Sequence, residues 1–225
     1  MPIFSKEGSR LLFVHVPKTA GSAIEDHFTE LGWTVDYLDR SNPSHCDSLN
    51  SCRRVSPQHM HNQLLKETFD LSRFDLIFTV IRNPIERLKS EFAWRNRDLL
   101  GGEVTYKLVE NWWLHHKKAF RKDPFHLDNH FRPQTDFILP MAKVFRFETD
   151  LDSVASLALG LGSSDRIEGD QLRSLRRVNM SWSRSQDIPI SSRLSRDLTR
   201  FYKDDFRYLK TLPDKSSEPH INHMS

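Results

Sequence analysis

The stretch LLFVHVPKTAGS occupies residues 11–22, and its pattern decides how this chain folds. Its first part, Leu11 to Val16, is too short and too apolar for a surface helix, but it suits a buried strand of a parallel sheet. Pro17 ends that strand because proline has no N–H group to donate to the ladder. The stretch therefore predicts a buried strand that leaves the sheet at Pro17 and turns into a helix.

The turn after this strand combines a positive charge with free backbone N–H groups. Lys18 supplies the charge, and Gly21 is the residue best able to take a positive φ or to let a ligand approach the backbone. Ser22 is predicted to cap the helix that follows, which is predicted to end near Gly32. The apolar positions of this helix fall at helical spacing: Ile24, Phe28 and Leu31. Because the first N–H groups of a helix attract anions, the turn predicts an anion site, with an ordinary strand-turn-helix and a solvated lysine as the alternative.

A second stretch of the same kind, FTVIRNPIERLKSEF, occupies residues 78–92. Asp75 to Ile81 is predicted to form another buried strand, Arg82 lies where that strand leaves the sheet, and Pro84 suits the first turn of a helix. The apolar stripe of this helix leaves Ser90 on a different face with a free hydroxyl. An arginine offers a fork of N–H groups to a phosphate and a serine offers one more donor, so a second anion site is expected.

The two stretches together predict an α/β fold, a single P-loop-like domain in which helices flank a central parallel sheet. The carboxyl ends of parallel strands share one edge, so both cationic turns are expected to face the same doubly anionic nucleotide. A P-loop for ATP and magnesium does not fit, because in G-x-x-x-x-G-K-[ST] the lysine follows the second glycine, whereas here Lys18 precedes Gly21. The second strand also ends in Arg82, where a magnesium site would place an aspartate. We therefore expect a nucleotide held without a metal.

The motifs PKTAGS and VIRNPIERLKSEF resemble those of the carbohydrate-type sulfotransferases that use 3′-phosphoadenosine 5′-phosphosulfate (PAPS). Within that family the chain is similar to the heparan/uronyl 2-O-sulfotransferases and to bacterial sulfotransferase family 2 proteins. The resemblance implies that the 5′-phosphosulfate is bound by Pro17, Lys18, Thr19, Ala20, Gly21 and Ser22. It implies that Arg82 and Ser90 bind the 3′-phosphate. A basic loop late in the chain of such enzymes closes over the nucleotide. By resemblance this assigns cofactor binding to Asn179, Ser181 and Arg184, with a plain surface loop as the alternative.

Weaker similarity extends the resemblance over about residues 10–209. It includes HFRPQ at 130–134, VFRFE at 144–148 and a terminal helix at 198–209. By this similarity His130 and Arg132 are expected to contact the substrate. The sulfotransferase domain is predicted to occupy residues 1–212, with 213–225 as a flexible tail.

A base is needed to take the proton of the acceptor hydroxyl, and histidine has a pKa near working pH. The resemblance implies a catalytic pair at His59 and His61, within a helix predicted over Pro57 to Phe69. Residues two apart on a helix point to different faces, so only one of the two is expected to reach the hydroxyl. His59 is favoured as the base, with His61 as its orienter or as a substrate contact, and His130 is the alternative base.

The reaction implied by the resemblance is transfer of the sulfuryl group of PAPS to a hydroxyl group, expected to belong to a carbohydrate. The hydroxyl attacks sulfur while the bond to the 5′-phosphate breaks, and Lys18 with the helix-start N–H groups stabilises the charge that develops on the phosphate. No metal is expected. Two alternatives remain open: a kinase-like P-loop phosphotransferase, and a non-catalytic module that binds a nucleotide or a glycan.

Composition agrees with one soluble domain. The chain has 225 residues and a net charge of +3, which is too small to indicate nucleic acid or a membrane surface as a partner. Cys46 and Cys52 match no zinc pattern, so free thiols are expected, with a local disulfide as the alternative. No apolar run reaches the roughly 20 residues of a membrane span, and residues 1–10 hold no signal peptide, so a cytoplasmic protein is expected. The acceptor and the oligomeric state are not fixed by the sequence.

Overall fold

The computed structural model describes residues 1–41, 49–159 and 185–213. Its strands are β1 (Ile3–Lys6), β2 (Ser9–Val14), β3 (Thr34–Asp36), β4 (Leu76–Ile81) and β5 (Lys143–Arg146). Its helices are α1 (Gly21–Glu30), α2 (Asn62–Thr68), α3 (Pro84–Arg95), α4 (Tyr106–Lys122), α5 (Leu151–Leu157), α6 (Ser192–Phe201) and α7 (Lys203–Thr211). Within these ranges no helix combines the length and the apolar character that crossing a membrane requires.

The five strands form one sheet in the order β3-β1-β2-β4-β5. The pairs β2–β4 and β4–β5 are parallel, whereas β1 runs antiparallel to both β2 and β3. The predicted α/β domain with a central sheet and flanking helices is therefore confirmed, and its parallel strands lie at the centre and one edge. The antiparallel β1 was not anticipated, because four residues beside a tight turn carry little periodic signal.

Apolar side chains cover both faces of the sheet, because successive residues of a strand point to opposite sides. On one face Phe13 and Phe78 pack with residues of α1 and α5. On the other face Leu12 and Ile77 pack with residues of α2 and α7. A third cluster joins α3, α4 and α6.

The register brings both predicted turns to one edge of the sheet. Val14, the last residue of β2, pairs with Thr79 of β4, whose strand continues for only two more residues. The turn after β2 and the turn after β4 therefore lie side by side, and the Arg82 guanidinium donates to the Lys18 carbonyl across 3.4 Å.

The helix predicted over Pro57 to Phe69 is wrong in its first half. The chain makes a single 3₁₀ turn at Pro57–His59, takes an extended conformation at Met60, and starts α2 only at Asn62. The Asn129 amide donates to the carbonyl of His59 at 2.8 Å, which gives that carbonyl an acceptor role outside a helical ladder. A tertiary contact has overridden a local helical pattern.

The terminal helix expected over residues 198–209 is likewise divided, into α6 and α7 with Tyr202 between them. The Tyr202 hydroxyl donates to the carbonyl of Phe131 at 3.0 Å, and the ring is buried in the cluster of α3, α4 and α6. The tail predicted after residue 212 lies outside the described residues from position 214 onward.

Candidate active site

A cavity of about 970 Å³ opens at the edge of the sheet where β2 and β4 end. Its lining includes Lys18, Gly21, Arg82 and Ser90 from the two predicted turns. The opposite part of the lining comes from other segments and includes His59, Asp128 and His130. The fold thus gathers residues that are far apart in the chain around one space large enough for a nucleotide and an acceptor group.

The turn between β2 and α1 is built differently from the prediction. Positive φ falls on Lys18 (69°) and on Ala20 (70°), and Gly21 does not have it. Ala20 is the residue before the helix, and none of the described side chains caps α1, so the predicted cap by Ser22 is wrong. Ser22 is exposed and lines the cavity. The N–H groups of the first turn of α1 therefore keep no intrahelical acceptor and face a ligand-sized space.

Gly21 is required for a reason that the sequence did not suggest. A Cβ at this position would lie 1.8 Å from Nε2 of His15, so the imidazole occupies the space that any side chain would need. Glycine permits this close approach of ring to backbone.

Two members of the first motif lie behind the turn rather than on the cavity. The buried Thr19 hydroxyl donates to the carbonyl of Val16 at 2.7 Å and so closes the turn. Pro17 is also buried and is absent from the cavity lining. Both residues shape the turn, and the predicted contact with a ligand falls to Lys18, Ala20, Gly21 and Ser22.

Lys18 is partly buried at the mouth of this turn, with its Nζ 4.8 Å from the centre of the Trp94 ring. Burial, opposed by the Glu91 carboxylate and assisted by the cations Arg82, Arg97 and Arg95, lowers the pKa of Lys18 to about 8. An amine in such a setting gains most from an anionic ligand, because the ligand charge offsets the loss of water.

Arg82 is a buried cation with unused hydrogen-bond donors. Its backbone is fixed by Gln134, which accepts from the Arg82 N–H at 2.9 Å and donates to the Arg82 carbonyl at 2.7 Å. Its guanidinium lies 4.2 Å from the Phe147 ring centre, yet Nε and Nη2 are buried without a hydrogen-bond partner among the described residues. Burial lowers the pKa of Arg82 from its usual value, but an arginine stays charged. Paired with Ser90 on the same cavity, this arrangement fits a phosphate.

His59 is oriented by an acidic residue that no sequence pattern had indicated. Its Nδ1 lies 2.7 Å from Oδ2 of Asp128, while its Nε2 has no hydrogen-bond partner among the described residues. Burial lowers the pKa of His59 to about 4, and the neighbouring Asp128 carboxylate only partly counteracts this. The ring is therefore neutral near pH 7 and can accept a proton.

Two more histidines flank His59, each with its own carboxylate. His15 Nδ1 lies 3.0 Å from Glu25, and its ring centre is 4.8 Å from that of His59. His130 Nδ1 lies 2.7 Å from Glu91, and its ring centre is 5.0 Å from that of His59 on the other side. Trp94 stacks on His130 at 5.6 Å, so the row of three imidazoles continues to the aromatic ring beside Lys18.

The remaining predicted residues do not meet at this cavity. His61 is buried, packs against Phe125 at 5.7 Å between ring centres, and is absent from the cavity lining. Arg132 is absent as well, because its guanidinium donates to Asn129, Asp136 and the carbonyl of Pro124. The expected substrate contact by Arg132 therefore has no support in its position.

Asn179, Ser181, Arg184 and Cys46 lie outside the described residues. Cys52 is described, and it is an exposed free thiol.

A metal could be considered at His59, Asp128 and His130, which bring ligand-type atoms within 4.8 Å of one another. However, Asp128 already accepts the hydrogen bond of His59 Nδ1, so this carboxylate and this nitrogen are directed at each other. The group is better described as a histidine held by an acid than as a set of free ligands.

The acids Asp128, Glu91 and Glu25 were missed at the sequence level. Asp128 does stand two residues before His130, and Glu91 directly follows Ser90, but neither neighbour indicates which histidine the acid will contact. Contacts across 69 residues, as between His59 and Asp128, follow only from the fold.

Comparison with protein-family models matches residues 1–210 to the sulfotransferase family. No curated protein and no solved structure matches the chain. The matched range includes both turns that line the cavity and the three histidine–carboxylate pairs described above.

Proposed function

The chain belongs to the sulfotransferase family and is a sulfuryl-transfer enzyme, and from that premise we propose that its donor is PAPS and its acceptor a hydroxyl group of a carbohydrate. The observation that carries the choice of donor is the Arg82 guanidinium, buried with two nitrogens that find no partner among the described residues, beside the amide-rich start of α1. A buried cation with free donors is costly unless an anion completes it.

PAPS suits the cavity because it carries anionic groups at both ends of its ribose. The 5′-phosphosulfate would lie against Lys18 and the first N–H groups of α1. The 3′-phosphate would lie against Arg82 and Ser90, the pair at the start and on the inner face of α3. The contact between the Arg82 guanidinium and the Lys18 carbonyl keeps the two subsites adjacent.

The chemistry of the step follows from this placement. The acceptor oxygen forms a bond to sulfur while the bond from sulfur to the 5′-phosphate oxygen breaks, and the electron pair leaves with the phosphate. Lys18 and the helix-start N–H groups stabilise that developing charge. His59 takes the proton of the acceptor on Nε2, and the nearby donor anion raises the pKa of His59 toward working pH.

The proposal is tested by incubating the purified protein with PAPS labelled in its sulfuryl group and a panel of neutral and acidic glycans. We expect labelled glycan with the wild type and none with Lys18→Ala. Stabilisation of the protein by ATP and magnesium but not by adenosine 3′,5′-bisphosphate would favour a phosphotransferase. Binding of the bisphosphate without transfer to any hydroxyl acceptor would favour a non-catalytic module.

Donor binding alone can be tested at Arg82. We expect Arg82→Ala to weaken adenosine 3′,5′-bisphosphate by about 30-fold, equivalent to about 2 kcal/mol for a lost charge-assisted contact. Adenosine 5′-monophosphate, which lacks the 3′-phosphate, should bind the variant and the wild type equally in calorimetry.

A matched control for this experiment is Arg54→Ala. Arg54 also lines the cavity, but its guanidinium is exposed and paired with Asp123 at 3.1 Å. This variant should bind both nucleotides as the wild type does. Equal bisphosphate affinity in Arg82→Ala and the wild type would remove Arg82 from the 3′ subsite.

A further inference from the structure

We propose that Asp128 is the positioning residue of the base: it holds His59 in the tautomer that carries its proton on Nδ1 and presents the lone pair of Nε2 to the acceptor. The inference rests on the proposed function, because the tautomer matters for catalysis only if His59 accepts the proton.

The contacts of Asp128 determine the tautomer. Its Oδ2 lies 2.7 Å from His59 Nδ1 and 2.6 Å from the Ser56 hydroxyl, and its Oδ1 accepts from the Ser56 N–H at 2.6 Å. Burial favours the protonated acid, but the hydrogen bonds from His59 and Ser56 outweigh it and keep the pKa of Asp128 well below its usual value. An ionised carboxylate only accepts, so Nδ1 must carry the proton and Nε2 is left with its lone pair.

The orientation of His59 is fixed from two sides. Asp128 holds the ring, and the neighbouring Asn129 amide holds the backbone by donating to the His59 carbonyl at 2.8 Å. Ser56, at the start of the 3₁₀ turn that carries His59, adds a contact of 3.3 Å between its hydroxyl and Nδ1. Ring and backbone are thereby both tied to one loop.

That loop adopts an unfavourable conformation to make these contacts. Leu127, Asp128 and Asn129 have φ values of 51°, 58° and 64°, three consecutive non-glycine residues in the left-handed region. Arg132 supports the turn by donating from Nε to the Asn129 side chain at 3.0 Å and from Nη2 to the Pro124 carbonyl at 3.1 Å. Backbone strain that persists under such support is characteristic of functional sites.

Asp128 also differs from the acid of the neighbouring pair. Glu91 contacts His130 but shares its charge with Arg95 in an ion pair. Among the described residues neither a lysine nor an arginine pairs with Asp128, so its negative charge is directed at His59. This charge stabilises the imidazolium that forms when His59 accepts the proton.

The test compares Asp128→Asn with the wild type at saturating donor and acceptor over a range of pH. We expect kcat to fall at least tenfold, the affinity for adenosine 3′,5′-bisphosphate to stay within twofold, and the acidic limb of the pH profile to move to lower pH. The limb moves because the variant lacks the negative charge that raises the pKa of His59. The matched control is Asp197→Asn. The Asp197 carboxylate accepts from Trp113 and Lys117 away from the cavity, so this substitution should leave kcat and the acidic limb unchanged.

A kcat of Asp128→Asn within twofold of the wild type would overturn the inference. A lower kcat with an unmoved acidic limb of the pH profile would overturn it too, because that result is expected of a purely structural residue. A second measurement avoids dependence on the folding of the variant. In wild-type protein labelled with ¹⁵N-histidine, the His59 signals, assigned with His59→Gln, should report the Nδ1–H tautomer at pH 7. A proton on Nε2 would overturn the inference.

The outcomes also separate this inference from the proposed function. A wild type that transfers no sulfuryl group counts against the proposed function, and the tautomer still decides the positioning by Asp128. An active wild type with an equally active Asp128→Asn variant counts against this inference alone.

Discussion

At the residue scale, the charge of Lys18 is the feature of the site that a change of pH alters most easily. Its amine is partly buried, and Arg82, Arg95 and Arg97 add to the burial that brings its pKa to about 8. Above that pH the free protein loses this cation at the proposed donor subsite. A bound anionic donor restores it, because opposite charge raises the pKa of an amine.

We therefore predict that the affinity for adenosine 3′,5′-bisphosphate falls as pH rises above 8, by up to about tenfold per pH unit. Lys18→Arg should remove this dependence, because arginine stays charged, even if transfer itself is slower. Calorimetric titrations at pH 7, 8 and 9 measure the effect. A wild-type affinity that is flat over this range, or a slope that persists in Lys18→Arg, would contradict the role of Lys18.

The sequence allowed some site residues to be located and not others. Lys18 and Arg82 follow buried apolar strands, so their place at the sheet edge could be predicted from the chain alone. Asp128 could not be found in this way, because its contact with His59 depends on a loop with three positive φ angles. Arg132 was expected at the substrate, and no pattern reveals that its guanidinium finds acceptors inside the protein.

At the scale of elements, the start of α1 depends on the packing of His15 against Gly21. The His15 ring occupies the space of a side chain at position 21, because its Nε2, Cε1 and Cδ2 atoms lie 1.8, 2.0 and 2.4 Å from the point where a Cβ would stand. Such distances cannot be tolerated, so a side chain would displace either the ring or the first turn of the helix.

We predict that Gly21→Ala lowers the free energy of unfolding by about 1–3 kcal/mol, the usual cost of overpacking, and weakens donor binding because the helix-start N–H groups shift. In a His15→Ala background the same change should cost less than about 1 kcal/mol, since the clashing ring is gone. Urea denaturation of the four proteins of this cycle measures both costs. Ser22→Ala, at the exposed neighbouring position, is the control and should be near neutral. Equal costs in both backgrounds would show that His15 is not the obstacle.

Elements with strong periodicity were predicted from the sequence, and those decided by a tertiary contact were not. β2, β4 and α3 follow from apolar runs and from Pro84 at a helix start. The helix expected at Pro57 fails because the His59 carbonyl accepts from Asn129, a residue 70 positions away. Because the chain is not helical between His59 and Asn62, His59 lies on the cavity and His61 packs against Phe125. The incorrectly predicted helix is therefore in the segment that supplies the candidate base.

At the scale of the whole molecule, the site is held by long-range contacts among several elements. Lys18 comes from the end of β2, Arg82 from the end of β4, and His59 from a turn before α2. The loop that carries Asp128 and His130 precedes β5. Buried ionisable groups at such a junction tie the stability of the fold to pH, because unfolding returns each group to its ordinary pKa.

We predict that the protein loses stability as pH falls from 6.5 toward 4. Burial brings the pKa of His59 to about 4. Burial, together with the neighbouring His126 and His115 side chains and the Arg95 guanidinium, brings that of His116 to about 4, so both stay neutral in the folded protein over this range. The unfolded chain takes up these protons near pH 6.5, and acid therefore favours unfolding. At about 1.4 kcal/mol per pKa unit, His59 contributes at most roughly 3 kcal/mol, and His116 contributes less because solvent screens its half-exposed ring.

The measurement is the free energy of unfolding in urea at pH 7, 6, 5 and 4.5. His59→Gln should flatten the pH dependence most, His116→Gln partly, and His115→Gln, at the exposed neighbouring position, hardly at all. The range stops at pH 4.5 because the Glu25 carboxyl begins to matter below that pH. Burial raises the pKa of Glu25, but its contacts with His15 and Arg40 outweigh burial and bring the pKa to about 2. The stability that this carboxyl provides is lost only from about pH 4.5 downward, so it does not contribute to the slope. An unchanged slope in His59→Gln would mean that His59 takes up its proton near pH 6.5 in the folded protein as well, which would contradict a pKa lowered by burial.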